Sequence, residues 1–345
     1  MITTTSGRPS LLSRVRRRRL IGLAVAAGIL SVACAASLAI GTEDVPPSVV
    51  WSALVDYRDI GDQWVIRDLR IPRTALGLAV GVALGLAGAL IQAVTRNPLA
   101  DTGVLGINSG ASLFVVSAIA FLGLDSVFAY VWFAFAGACV TMLVVYAIGW
   151  AGRATGDPVR VLLAGVAVGA VMDGIAFTIR LRNPRAFDDM RFWDAGALDG
   201  RGLEVTATIA PFIVLGVVFC AIVGRSLNVA ALGDDVATSL GGNVVRVQTL
   251  SLLTVTLLAG AATAGAGPIG FVGLIVPHLL RRFVGPDWRW ILAYSTVAAP
   301  ALLLAADVVG RVVIRPDELP AGIVTAFLGA PVLIWVIRRR GDWQR

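Results

Sequence analysis

Long apolar stretches alternate with short polar and charged segments along almost the whole chain. A hydrocarbon core about 30 Å thick takes about 20 helical residues, so each apolar stretch near that length predicts a membrane-spanning helix. Ten stretches qualify: 20–40, 72–94, 104–124, 128–150, 160–179, 204–223, 248–266, 268–284, 290–310 and 321–337. The stretch at 268–284 is short and contains Pro277, which leaves nine spans as an alternative. The pattern predicts an all-α integral membrane protein with about ten transmembrane helices.

The composition points to the same class of protein. Of the 345 residues, 57% are hydrophobic and 15% are charged, whereas soluble domains are about 45–50% apolar and about 25% charged. Cys34, Cys139 and Cys220 each fall in a different predicted span, so they indicate neither a disulfide framework nor a pair spaced for a metal. We interpret them as small buried apolar residues of a membrane protein.

The arginines are distributed unevenly between the two sides that an even number of spans defines. Basic residues accumulate in the cytoplasmic loops of membrane proteins. If both termini are cytoplasmic, that side holds 18 of the 29 basic residues, including the run from Arg16 to Arg19, while most acidic residues lie outside. We therefore predict a multi-pass protein of the cytoplasmic (inner) membrane with both termini cytoplasmic. The net charge of +7 then reflects topology, and no nucleic-acid partner is expected.

One predicted helix runs directly into a polar turn that contains proline and glycine. Small residues crowd positions 77–89, and small residues let neighbouring helices approach closely in a bilayer. Gln92, Asn97, Pro98 and Asp101 follow. Irregular polar backbone near membrane depth is tolerated where protein buries it or where it lines a water-filled cavity. Residues 71–110 are therefore predicted to line a path.

The sequence lacks residues that several classes of enzyme require. The chain contains no lysine, which a Walker A loop needs to reach the β- and γ-phosphates of ATP. Neither an HExxH pair nor a GxSxG elbow occurs. His278 is the only histidine, and a lone histidine cannot form a multidentate metal site. We predict a protein without catalytic residues, resident metal or cofactor.

A second polar segment, residues 225–246, separates the sixth and seventh predicted spans. It reads RSLNVAALGDDVATSLGGNVVR and is too polar to cross a membrane. Asp234 or Asp235 can cap a short helix that runs to Leu240, and Gly241 with Gly242 allow the chain to leave it. A compact helix of this kind suits a groove on a partner protein. An ordinary solvated loop is the alternative.

Several motifs occur in the order that one transport family shows. They are RIPR (70–73), NPLAD (97–101), LLAGVA (162–167), LGDDVATSLG (232–241), AGPIGFVGLIVPHLLRRF (266–283), LLLAADVVGR (302–311) and DELPAGIVTAFLGAPVLIW (317–335). Across residues 50–340 the chain resembles the FecCD permeases, the membrane subunits of importers for ferric siderophores, cobalamin and haem. The resemblance implies a type II ABC importer permease fold. We expect one permease domain at 20–340, an Arg-rich tail at 1–19 and a C-terminal tail at 341–345.

The resemblance also implies partners. Two ABC ATPase subunits, which carry the ATP and magnesium, dock on the cytoplasmic side. A substrate-binding protein delivers its cargo on the other side. The permease pairs either with itself or with a second FecCD-type permease, and membrane lipid surrounds the pair.

Particular positions match functional positions of the family. Asn97 and Leu99 match an inner gate, and a second gate falls at Asp157 and Val159, where this chain departs from the small hydroxyl residues often found there. The resemblance assigns ATPase coupling to Leu232, Gly233, Asp234, Asp235, Ala237, Leu240 and Gly241. It assigns docking of the binding protein to outward-facing Arg70, Arg73 and Arg311. Interfacial snorkelling is the alternative for these three arginines.

Two carboxylates, Asp173 and Asp307, lie within predicted spans, where a charge is costly and indicates function by default. We expect a structural partner for Asp307 and a position on the pathway for Asp173. A proton-coupled secondary transporter that uses both is the rival class. Because the spans offer a single histidine, we expect metal to travel already chelated, as a ferric siderophore, with cobalamin and haem as alternatives.

Overall fold

The computed structural model describes residues 11–58, 61–124, 126–150 and 158–341, and within these ranges the chain forms helices and no strand. The α-helices are α1 (Leu11–Ala39), α2 (Pro47–Val55), α3 (Ile71–Val94), α4 (Ile107–Leu122), α5 (Val127–Trp150), α6 (Pro158–Arg182), α7 (Pro184–Asp194), α8 (Leu203–Ala230), α9 (Asp234–Ser239), α10 (Val244–Ala266), α11 (Val272–Val284), α12 (Trp288–Val313) and α13 (Ala321–Gly341). A π-helical turn (Val65–Arg70) precedes α3, and a 3₁₀ turn (Thr102–Leu105) precedes α4. The predicted all-α membrane fold is confirmed.

Each predicted apolar stretch coincides with one helix. Seven helices of the described residues are long and apolar enough to cross a membrane: α1, α3, α5, α6, α8, α10 and α12. The apolar parts of α4 and α13 are shorter, and α11 has 13 residues with Pro277 inside it. The number of crossings therefore stays a prediction.

Helix α3 lies at the centre of the bundle and packs against α8, α10, α11 and α12. Its small residues bring backbones into direct contact. A Cβ atom added to Gly88 would lie 2.0 Å from the carbonyl oxygen of Gly273 in α11, so no larger residue fits there. This is the close approach that small residues permit between membrane helices.

Helices α1 and α6 lie at the edge of the bundle and are little buried. Helix α6 exposes large apolar side chains along its length, including Leu163, Val171, Phe177 and Leu181. Helix α1 begins at Leu11, so the run from Arg16 to Arg19 continues the helix beyond the apolar stretch. Unpacked apolar faces of this size fit lipid or a second membrane subunit.

Candidate functional site

The chain after α3 forms a compact turn at the predicted inner gate. The amide of Leu99 donates a hydrogen bond of 3.0 Å to Oδ1 of Asn97, and the amide of Ala100 donates one of 3.1 Å to the Asn97 carbonyl oxygen. Asn97 is exposed, Leu99 is half-buried and Pro98 is buried. The polar break predicted from sequence is thus an ordered turn with its amide side chain folded onto its own backbone.

Arg96 joins this turn to the coupling segment. Its backbone is left-handed, with φ of 49°. Its Nη2 donates a 2.7 Å hydrogen bond to the Ala230 carbonyl oxygen at the end of α8, and the same nitrogen contacts Oδ1 of Asp234 in α9. This role of Arg96 was not predictable from the sequence pattern, because its partners lie 134 and 138 residues away. Its position directly before the NPLAD motif was the available signal.

The coupling segment contains the predicted short helix, but its cap differs from the prediction. Gly233, with φ of 106°, is the N-cap of α9, and neither aspartate caps it. Asp234 and Asp235 instead lie in the first turn, where a negative charge interacts favourably with the helix dipole. Gly241, with φ of 78°, lets the chain leave the helix as expected. The connection is also shorter than predicted, because α8 extends to Ala230 and α10 starts at Val244.

Three apolar side chains of this segment, Leu232, Val236 and Leu240, form an exposed ridge at spacings of four residues. Leu240 is 66% exposed and Val236 is 47% exposed. Ala237, which the sequence analysis assigned to the ATPase contact, faces the permease interior and is 1% exposed. The surface available to a partner therefore contains Val236 in place of Ala237.

The predicted second gate is described only in part. Asp157 lies outside the described residues, while Val159 is an exposed residue in the first turn of α6. Asp173 lies farther along α6, on its exposed side, and its Oδ2 accepts a 2.9 Å hydrogen bond from the Ser109 hydroxyl of α4. The structure therefore places Val159 and Asp173 on one helix that little of the chain covers.

A second polar cluster connects α4, α6 and α7. Arg180 forms an ion pair of 2.5 Å with Asp194. The Ser112 hydroxyl bridges the two residues, because it donates a hydrogen bond of 3.0 Å to Asp194 and accepts one of 2.7 Å from Arg180. Burial raises the pKa of the Asp194 carboxyl; Arg180 and the Ser112 hydrogen bond oppose the rise. The cluster fixes the orientation of α6 relative to α4.

Asp307 is the centre of a buried ion network. Nε and Nη2 of Arg73 donate hydrogen bonds of 2.8–3.1 Å to both of its carboxylate oxygens, and Arg311 pairs with Oδ2. Nη1 of Arg73 also donates a hydrogen bond of 2.6 Å to Oε2 of Glu318. The expected structural partner of Asp307 is confirmed.

The three predicted docking arginines are buried and bonded within the chain. Arg311 is 1% exposed and donates to the carbonyl oxygens of Ser37 and Ile40 at 2.8 and 3.0 Å. Arg70 donates to the carbonyl oxygens of Leu38, Ala39 and Glu43 at 2.8–2.9 Å. Because all three side chains are buried, they neither face outward nor extend toward the membrane interface. The network holds the end of α1 against α3 and α12, and a role in docking stays a prediction.

A cavity of about 510 Å³ opens beside this network and contains a further arginine. Arg201, in the loop before α8, is 9% exposed, and its buried Nη1 has no hydrogen-bond partner among the described residues. Burial lowers the pKa of Arg201 to about 10, and the nearby Asp199 opposes the shift. An unpartnered buried guanidinium nitrogen is costly unless an acceptor arrives. No motif in the sequence indicated a role for Arg201.

We compared the chain with known protein families. Residues 29–339 match the model of the FecCD transport family. The chain belongs to the FecCD transport family. The resemblance drawn from its motifs is confirmed, and with it the class of the protein, an ABC importer permease.

Individual relatives of this FecCD-family chain extend the comparison. It is 46% identical over 312 residues to the ferric enterobactin transport system permease protein FepD of Escherichia coli, covering 90% of this chain and 93% of that protein. It is 38% identical to the probable siderophore transport system permease protein YfiZ of Bacillus subtilis, with the same coverage. Its fold matches an inward-facing structure described as a metal-chelate type ABC transporter, with a TM-score of 0.80 at 24% identity over 93% of this chain and 98% of that chain.

Proposed function

We propose that this FecCD permease carries a ferric siderophore through the cytoplasmic membrane as a subunit of an ABC importer. The cargo rests on FepD and YfiZ, whose names specify ferric enterobactin and siderophore transport. Cobalamin and haem are the alternative cargoes of the same family. The chain itself breaks no bond; ATP hydrolysis belongs to a partner subunit that holds ATP and magnesium.

One observation carries the coupling mechanism: Arg96 bonds the gate turn to α8 and α9. Two ATPase subunits bind the ridge of Leu232, Val236 and Leu240, one on each permease of the dimer. Movement of the ridge on ATP binding then moves Asp234, and through Arg96 it moves the turn that contains Asn97 and Leu99. Alternating access follows, because the gate turn and the ATPase contact shift as one body.

The pathway lies along the exposed side of α6. A second permease, identical or of the same family, covers the apolar residues there and encloses Val159 and Asp173 between the two subunits. Asp173 supplies a carboxylate that Ser109 orients. Asp157 falls beside Val159 in sequence and completes the proposed second gate.

The binding protein docks at the opposite end, over the cavity of about 510 Å³. Arg70, Arg73 and Arg311 shape this surface through their internal bonds, and Arg201 supplies the nitrogen that still requires an acceptor. An acidic side chain of the binding protein is the acceptor that fits. Such charge pairs at the rim of an interface govern association rate and orientation.

The secondary-transporter alternative requires two intramembrane carboxylates, and one of them is already bonded within the chain. Asp307 accepts hydrogen bonds from two arginines and is fully buried, so no free lone pair faces a pathway. Asp173 alone remains available to bind a proton. Uptake that continues in vesicles without ATP, and stops when the proton gradient is removed, would support this alternative and contradict the importer.

The cargo is tested by uptake in a strain that lacks the permease gene. We expect loss of labelled ferric siderophore uptake and of growth under iron restriction, with free zinc and manganese uptake unchanged. Labelled cobalamin and haem are measured beside it. Loss of cobalamin uptake alone would keep the importer and replace its cargo.

The orientation is tested with a cysteine at Ser239, an exposed residue of α9, in a chain whose three native cysteines are replaced by alanine. The arginine distribution predicts that this residue is cytoplasmic, so a membrane-impermeant maleimide should label it only in opened cells. Labelling of intact cells would reverse the proposed topology.

A further inference from the structure

A cavity of the described residues lies between α1, α8 and α12, and its lining shares no residue with the gate turn, the coupling ridge or the docking cavity. Its volume is about 910 Å³, near the upper end of the roughly 300–1,000 Å³ of small-molecule sites. Each helix contributes residues at three- and four-residue spacings. These are Val15, Arg16, Arg19 and Leu20 of α1, Val217, Cys220, Ala221 and Gly224 of α8, and Arg289, Trp290, Leu292, Ala293 and Thr296 of α12, with Leu86 of α3 as the floor.

The cavity has a charged end and an apolar body. Arg16, Arg19 and Arg289 lie at the ends of α1 and α12 that meet there, and its lining contains no acidic residue. Asp287, which directly precedes α12, is already bonded to Arg19 and to Asn228, at 3.3 and 2.8 Å. The guanidinium groups of Arg16 and Arg289 have no bond to any described residue. The charged end therefore presents at least two cations that lack a partner.

Aromatic residues place this end at the membrane surface. The guanidinium of Arg19 lies 5.6 Å from the ring centroid of Trp290, and Trp290 lies 6.4 Å from Tyr294. The Tyr294 hydroxyl donates 2.5 Å to the backbone oxygen of Arg19. Tryptophan and tyrosine concentrate at the level of lipid headgroups. The apolar body of the cavity then extends from headgroup level toward the hydrocarbon core.

We propose that this cavity binds an anionic phospholipid, with its phosphate between Arg16 and Arg289 and one acyl chain along α8. Basic pockets between membrane helices bind acidic lipid headgroups. An anion without an acyl chain would leave the apolar body unfilled, which favours a lipid over a free phosphate. The site is independent of the proposed cargo, because it lies outside the gate and both partner surfaces.

Native mass spectrometry of the delipidated full chain tests this assignment, with dilauroyl phosphatidylglycerol and dilauroyl phosphatidylcholine as probes. We expect one tightly retained phosphatidylglycerol per chain and no comparable retention of phosphatidylcholine. The variant Arg16→Gln/Arg289→Gln should weaken phosphatidylglycerol binding about 25-fold, since each arginine contributes about fivefold near an anionic headgroup. The matched control is Arg17→Gln/Arg18→Gln, which removes the same charge from exposed positions of the same turn outside the cavity.

A second variant separates the acyl chain from the headgroup. Ala221 is exposed within the cavity, so Ala221→Trp fills the apolar body and leaves all three arginines in place. We expect it to abolish retention of phosphatidylglycerol. Unchanged binding in Ala221→Trp, equal loss in both arginine pairs, or equal retention of the two lipids would each overturn the proposal. Displacement of the bound lipid by millimolar glycerol phosphate would also overturn it, because the site would then bind a free anion.

Discussion

The two ends of the helical bundle use arginine in opposite ways. At one end, Arg73 and Arg311 are buried and bonded to Asp307. At the other end, Arg96 is exposed and bridges two segments of the chain, while Arg16 and Arg289 have no partner among the described residues. Arg73 and Arg311 are thus packing elements at one end, whereas Arg96, Arg16 and Arg289 are contacts for moving parts or ligands at the other. Arg201, which lacks an acceptor although it lies beside the buried network, is a contact as well. An arginine surrounded by hydrogen-bond acceptors of its own chain packs inside the bundle, whereas one without them is available to contact a partner or a ligand.

The largest expected effect comes from removing the centre of the buried network. Asp307→Asn removes the carboxylate that two buried guanidinium groups share, and breaking a buried pair in this way costs about 3–5 kcal/mol. We expect a large fall in the thermal unfolding temperature in detergent and little monodisperse protein. Asp317→Asn is the matched control, since Asp317 is an exposed carboxylate beside the same network. If Asp307→Asn unfolded like the control, the network would not hold this end together.

The second effect concerns the apolar ridge at the opposite end. Leu240→Asp places a charge where we propose that the ATPase binds, so uptake should fall about tenfold or more, as at a contact that dominates an interface. The fold should be unaffected, because Leu240 is exposed. Ser239→Asp adds the same charge at the neighbouring position and should transport normally. Normal uptake by Leu240→Asp with the ATPase still bound would remove the ridge from the contact.

The third test separates the bridging role of Arg96 from stability. An exposed ion pair contributes about 0–1 kcal/mol, so Arg96→Gln and Asp234→Asn should unfold near the wild-type temperature. Both should reduce uptake, and the double variant should be no worse than either single variant if the two residues act as one link. The exchanged pair Arg96→Asp/Asp234→Arg should recover part of the activity. Strictly additive losses would argue that the two residues act separately.

The smallest effect concerns the binding affinity for the extracytoplasmic partner and is expected at Arg201. Arg201→Gln should weaken binding of the extracytoplasmic partner by about two- to fivefold, the size of a rim charge pair, and make the remaining affinity less dependent on salt. Unfolding should change little, because Nη1 of Arg201 makes no bond to lose. Neutralising Arg70, Arg73 and Arg311 together should instead destabilise the chain. Unchanged affinity and salt dependence in Arg201→Gln would exclude Arg201 from docking.

The helices were predictable because apolar length is a local property of the sequence. The motifs were also sufficient to predict the family. Side-chain partners were not predictable, since Arg73 and Asp307 lie 234 residues apart and Arg96 and Asp234 lie 138 apart. No periodicity connects positions at such distances. For the same reason, the sequence placed Ala237 on the coupling surface, whereas the packing of α9 turns Ala237 inward and Val236 outward.

The central position of α3 has a consequence for how the chain is made. Its main packing partners α8, α10, α11 and α12 follow it in the sequence, and α8 starts 109 residues after α3 ends, at 203 against 94. At a synthesis rate of about 5–20 residues per second, α3 resides in the membrane for roughly 5–22 s before the first of these partners emerges. Its glycine-rich surface must meet lipid or an insertion factor during that interval. The core of the permease therefore forms from the C-terminal half inward, late in translation.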